Sequence, residues 1–252
     1  MKKLLGIALA SAAAGLCLSA LKKASDEQTV ELSPVKRSSP NKKAILVVSF
    51  GTSYAQTREK TIGAIEEDFR SAFPEYTIRR AFTSKMIIKK LRERDGIEVD
   101  TVAQALEKLE AEGYSTVICQ PTHVMGGFEF DDVKREVENW KGRFDHIACG
   151  WPLLTSSEDY EQVTEALVQE FSDIPSDAAL VLMGHGTEHP ANATYPALDY
   201  RLKARGCKNF FVGTVEGYPD LQTVMQEVAA IHASKVFLAP LMVVAGDHAI
   251  ND

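Results

Sequence analysis

From Lys42 onward, short apolar runs alternate with stretches in which apolar residues recur every three or four positions, the pattern of βαβ units around a parallel sheet. Ala44 to Phe50 is almost continuously apolar, as a strand buried on both faces must be. Similar runs predict strands at Tyr76 to Phe82, Thr116 to Gln120, His146 to Cys149, Ala179 to Met183, Asn209 to Gly213 and Lys235 to Leu241. Ile62, Ile65, Phe69 and Phe73 fall on one face of a helix that Pro74 stops. A second helix is expected near Val102 to Glu112, with Gly113 as its C-terminal cap.

The pattern occurs twice. AILVVSFGTS, from Ala44, is echoed by ALVLMGHGTE, from Ala179, so that Phe50-Gly51-Thr52 matches His185-Gly186-Thr187. QPTHVMGGFEFDD, from Gln120, is echoed by APLMVVAGDHAIND, from Ala239; Pro121 then meets Pro240, Gly127 meets Gly246, and Glu129 meets His248. The expected fold class is therefore α/β: two similar lobes, residues 42–150 and 151–252, each with a parallel sheet flanked by helices. A cleft between lobes of this kind is lined by loops at the carboxyl ends of the strands, here 50–57, 120–130, 185–193 and 242–252.

The amino-terminal segment has a different character. Lys2 and Lys3 precede an apolar run from Leu4 to Leu18, followed by small residues and by Lys22 and Lys23, the layout of a secretory signal peptide over residues 1–24. The run is shorter than the ~20 residues that a bilayer span needs, so no stable membrane insertion is expected once it is removed. Residues 25–41 are polar and contain Pro34 and Pro40, as in a solvated linker. The expected location is the periplasm. The mature chain would keep Cys119, Cys149 and Cys207, widely spaced and without a CxxC, so no disulfide framework or zinc knuckle is implied. The first 40 residues hold six Lys or Arg against three Asp or Glu, leaving 22 against 32 in the rest, a net charge of −10 that argues against a nucleic-acid partner.

The second lobe supplies both His185 and His248, each directly after an apolar run and beside a glycine, at equivalent strand ends. A single histidine is most often a hydrogen-bonded structural residue, which does not account for two at matching strand ends. Imidazole binds borderline divalent metals and accepts protons near neutral pH. Glu129 lies opposite His248 in the repeat and is a further candidate for the same cleft. No GxxxxGK[ST] loop is present for nucleotide-driven chemistry.

GHGTEHPAN from Gly184, VGTVEGYP from Val212 and PLMVVAGDHAIND from Pro240 resemble the motifs of the anaerobic cobalt chelatases of the class II chelatase superfamily, and the resemblance spans nearly all of residues 43–252. It implies insertion of a divalent metal into a porphyrin-like macrocycle, sirohydrochlorin, without nucleotide hydrolysis. Co²⁺ is the expected substrate metal, with Fe²⁺ the alternative. Carried over by motif, His185 and His248 bind the metal, and Glu216 is an acidic group beside it. The catalytic set is then His185, His248 and Glu129, with Glu129 or a histidine accepting the pyrrole protons. Family members continue with a further helical segment beyond the position of Asp252.

The remaining histidines have lesser expectations. His189 supports the GHGT turn, while His146 and His232 are structural or surface residues. His123 either lines the cleft or presents an exposed imidazole to a haem or a neighbouring subunit, which leaves a haem cofactor and a homo-oligomer open. Arg58, Lys85, Lys89 and Arg92 are candidates for a cationic rim toward the octacarboxylate macrocycle, or a solvated helix face. The competing function is a periplasmic protein that captures a metal, haem or another tetrapyrrole without inserting anything.

Overall fold

The computed structural model describes residues 41–244; the expected signal peptide, nearly all of the linker, and His248 lie outside them. Seven strands form two parallel sheets among these residues. The first contains β1 (Lys43–Ser49), β2 (Thr77–Phe82), β3 (Thr116–Pro121) and β4 (His146–Cys149), in the order β2-β1-β3-β4. The second contains β5 (Ala179–Gly184), β6 (Phe210–Thr214) and β7 (Val236–Pro240), in the order β6-β5-β7. Each predicted strand appears within a residue or two of its expected bounds.

The internal repeat is also a repeat of register. Val48 pairs with Pro121 as Met183 pairs with Pro240, and the next amide in each case, Thr122 or Leu241, donates to the Val48 or Met183 carbonyl. On the other side of the central strands, Ser49 pairs with Phe82 and Gly184 with Thr214. Gly51 and Gly186, the matching turn glycines, have φ of +99° and +83°, a region that favours glycine at each strand exit.

Helix α1 carries Ile62, Ile65 and Phe69 fully buried, as the periodicity predicts. It is not uniform: α-helical Ala55–Arg58 passes through a π-helical turn, Glu59–Gly63, into α-helical Ala64–Ala72. Phe73 caps it, half-buried. The other helices are α2 (Lys85–Asp95), α3 (Val102–Ala111), α4 (Phe128–Asn139), α5 (Ser157–Glu170), α6 (Thr194–Ala204) and α7 (Leu221–Ala230). A Thr101/Gln104 capping box starts α3, and Gly113 follows its end at φ +80°. None of the described helices is long and apolar enough to cross a membrane.

Alternation within β1 divides the core. Ala44, Leu46 and Val48 pack outward against α3 and α4, through Leu106, Leu109, Val133 and Val137. Ile45 and Val47 point the other way, into a cluster that also contains Phe69 from α1 and Leu180, Leu182, Leu198 and Val212 from the second half. One apolar cluster thus belongs to both sheets. Phe69→Ala should cost about 3–5 kcal/mol. Because the cluster is shared, calorimetry should show one transition moved to lower temperature; two separated transitions would mean that the sheets unfold independently.

Candidate active site

The GHGT turn leaves β5 beside the loop that leaves β6, and both loops depend on absent side chains. A Cβ on Gly186 would lie 2.6 Å from the Gly217 nitrogen, and one on Gly184 would lie 2.0 Å from the Tyr195 ring. Tyr195, 2% exposed, places its hydroxyl 3.4 Å from the Gly186 amide, from which it accepts a hydrogen bond. Asn192 ties the loops together: its Oδ1 accepts from the Thr187 amide at 3.1 Å, and its Nδ2 donates to the Tyr218 carbonyl at 2.6 Å. The Glu216 amide donates to the His185 carbonyl at 2.8 Å, fixing those two residues next to each other.

His185 is half-exposed toward solvent, with Nδ1 3.1 Å from the Gly186 carbonyl. A carbonyl only accepts, so Nδ1 is the donor in this contact and holds the ring in place from one side, as the partner of a metal-binding imidazole does. The Glu216 carboxylate lies 3.8 Å from Nδ1 and adds negative charge that favours a cation at the ring. Among the described residues, no three His, Cys, Asp or Glu side chains converge closely enough to hold a metal ion. His185 and Glu216 stand as a histidine-carboxylate pair, half of the expected site, since His248 lies outside the described residues.

The first turn of α4 faces this half-site from the other sheet. Phe128 meets the His189 ring edge-on, with centroids 4.8 Å apart, and Asp131 Oδ2 lies 3.3 Å from His189 Nε2. His189 Nδ1 accepts from the Ala191 amide at 3.0 Å, so Nε2 bears the proton and points it at Asp131. Between these contacts sits Glu129. Burial raises its carboxyl above the usual range, the charge of His185 pulls it back, and that of Asp132 raises it further. A carboxylate raised in this way is a better proton acceptor than one in water.

His123 follows β3 on a backbone held by its neighbours: the Leu153 amide donates to its carbonyl and the Leu154 amide to that of Val124, both at 2.9 Å. Its side chain is only 11% exposed, and Nε2 lies 3.5 Å from Glu129 Oε2. Of the two sequence-based alternatives, the structure gives the enclosed one. The imidazole is packed behind Glu129 rather than presented at the surface to a haem or a second subunit. Arg58 likewise leaves the expected cationic rim: it is buried, and its guanidinium donates to the Thr52 carbonyl at 3.1 Å.

The structure thus gathers His185, Glu216, Glu129 and His189 at one end of the two sheets, with His123 behind them. Sequence reasoning did not single out Asp131, Asn192 or Tyr195. Glycines at 184 and 217 were the available signal, because each makes room for one of those side chains.

Enclosure lowers the His123 imidazole from 6.5 to about 4. Between those values the unfolded chain binds a proton that the folded chain does not, so stability falls as pH falls. The contribution, about 3 kcal/mol, is fully present above pH 6.5 and lost below pH 4. Urea denaturation across this range should show the slope, and His123→Gln should flatten it; an unchanged slope would place the acid sensitivity elsewhere.

Comparison with known proteins agrees with this geometry. Residues 43–252 match the family described as Cobalt chelatase (CbiK). The chain is 46% identical over 211 residues to a sirohydrochlorin cobaltochelatase of Salmonella typhimurium, covering 84% of this chain and 80% of the relative. It is 34% identical over 224 residues to the sirohydrochlorin cobaltochelatase CbiKC of Nitratidesulfovibrio vulgaris, covering 88% and 78%. The solved structure of SirB from Bacillus subtilis with Fe³⁺ shares the fold, with a TM-score of 0.50 at 15% identity over 83% of this chain and 92% of that one. With its duplicated parallel-sheet register and a histidine-carboxylate pair at the strand ends, the chain belongs to the cobalt chelatase (CbiK) family.

Proposed function

We propose that the protein inserts Co²⁺ into sirohydrochlorin, the metal and macrocycle in its relatives' names, that it does so without ATP, and that His185, Glu216, Glu129 and His248 carry the reaction. The observation behind this reading is the pairing of two functions across one cleft. His185 stands half-exposed beside the Glu216 carboxylate, and Glu129, a carboxylate of raised proton affinity, approaches from the other sheet.

Insertion exchanges two inner N–H protons of the macrocycle for one dication, leaving the net charge unchanged. A metal donor and a proton acceptor must therefore act at the same ring. His185, assisted by Glu216 and by His248 beyond the described residues, holds Co²⁺ on one side of the ring and releases it to the pyrrole nitrogens. Glu129 accepts one departing proton and a histidine imidazole, once it has released the metal, the other; the first-turn position of Glu129 on α4, braced by the Asp131 and Phe128 contacts with His189, keeps it in range. Binding the ring in a bent form exposes its nitrogen lone pairs and lowers the barrier.

Fe²⁺ has ligand preferences close to those of Co²⁺ and is the alternative substrate metal. The periplasm is the proposed location, on the signal-like pattern of residues 1–24.

Two substitutions separate the roles. Glu129→Gln should lower kcat by about 10²- to 10⁴-fold while leaving Co²⁺ binding intact, as expected for loss of a proton acceptor. His185→Ala should weaken Co²⁺ binding and reduce insertion by about 10²-fold or more, with macrocycle binding largely retained. Anaerobic absorbance spectroscopy with sirohydrochlorin, and Co²⁺ or Fe²⁺ in parallel, reads both. Stoichiometric binding by the unmodified protein without turnover would replace this reading with capture or transport.

A further inference from the structure

The repeat allows the two halves of the cleft to be compared position by position. At the exits of β1 and β2, the Ser84 amide donates to the Phe50 carbonyl at 3.2 Å; at the exits of β5 and β6, the Glu216 amide donates to the His185 carbonyl. Phe50 therefore stands where the second half has His185, and Ser84 where it has Glu216. The first half keeps the backbone of the half-site and lacks its metal donors. It has instead an exposed Phe50 and, starting directly after Ser84, helix α2. The second half has no counterpart of α2, since β6 leads to α7 and then β7.

Helix α2 lies beside the site on both of its flanks. Its inner face, Ile87, Ile88 and Leu91, joins a cluster with Ile62, Phe82 and Val99, and with Val244 on the loop that follows β7. Arg94 donates to the Ser53 carbonyl, and the Lys90 ammonium lies 6.0 Å from the Tyr54 ring centre, so these two cations brace the loop after β1.

The outer face is unusual in charge. Helix α2 carries five Lys or Arg against two acids, in a chain whose residues 41–252 have a net charge of −10. Lys85, Lys89 and Arg92 are exposed and spaced at i, i+4 and i+7, which places them in one row. Among the described residues, the ion pair recorded for this row is Lys89 with Glu93, 3.9 Å apart on the open surface. Like charges in such a row repel one another, a cost that an anionic ligand would reverse.

We propose that Lys85, Lys89 and Arg92 dock the peripheral carboxylates of the macrocycle, so that the first half of the cleft holds the ring while the second half holds the metal. This rests on the chelatase reading for the identity of the ring. The chemistry required is a planar polycarboxylate: an otherwise acidic surface repels it, and a local cationic row beside exposed Phe50 and Met86 attracts it.

The test uses the full chain and a triple variant, K85Q/K89Q/R92Q, with the charge-retaining K85R/K89R/R92K as control. Metal-free binding of an octacarboxylate porphyrin and a dicarboxylate porphyrin is followed by fluorescence quenching over a range of salt, alongside steady-state insertion into sirohydrochlorin. The neutral variant should lose about 10-fold in octacarboxylate affinity at low salt, lose most of the salt dependence, and raise KM with kcat nearly unchanged, while the control behaves as the parent. Unaltered octacarboxylate affinity and salt slope in the neutral variant would overturn the proposal. If the unmodified protein binds the octacarboxylate through these residues but inserts no metal, the docking row stands and the chelatase reading fails.

Discussion

The two sheets are held in register by one apolar cluster that neither owns. Ile45 and Val47 reach it from the first sheet, Leu180, Leu182 and Val212 from the second, and Phe69 fills it from α1. Nothing in a parallel sheet by itself fixes the distance to another sheet. Close packing of side chains does, because a dense interior yields little to displacement. The distance between Glu129, on a helix of the first sheet, and His185, at a strand end of the second, is inherited from this cluster and trimmed by the Phe128 and Asp131 contacts with His189.

Above that core, the two halves use the same backbone device with different side chains. Each central strand ends in a glycine turn at positive φ, and each turn accepts a backbone hydrogen bond from the neighbouring strand's exit. The second half adds crowding that glycine alone permits, with Tyr195 against Gly184 and Asn192 against Gly217. Rigidity at His185 thus comes from the absence of side chains as much as from their presence, and this is compatible with a large ligand approaching the same turn.

The central strands β1 and β5 were legible because each is a short, nearly continuous apolar run, and a strand covered on both faces leaves no polar positions to blur its ends. The repeat was legible for the same reason, and it led from His185 to its equivalent strand end. Local side-chain fates were not. The period of α1 gives no sign of the π-helical turn at Glu59–Gly63, since the buried face continues through it. Arg58 reads as a surface cation until the fold brings the Thr52 carbonyl to it. His123 reads as either lining or exposed, because the segment that holds its backbone, Leu153 and Leu154, is distant in sequence. His189 was recognised only as a support; its proton is directed by Ala191 and used by Asp131, a pairing that no spacing rule contains.

The duplication of register with exchange of side chains has a geometric consequence. The two halves share a backbone, yet Phe50 in one answers His185 in the other, and Ser84 answers Glu216. One scaffold written twice in a single chain can thus divide labour between its copies: donor side chains kept in one half leave the matching positions of the other to groups of a different kind.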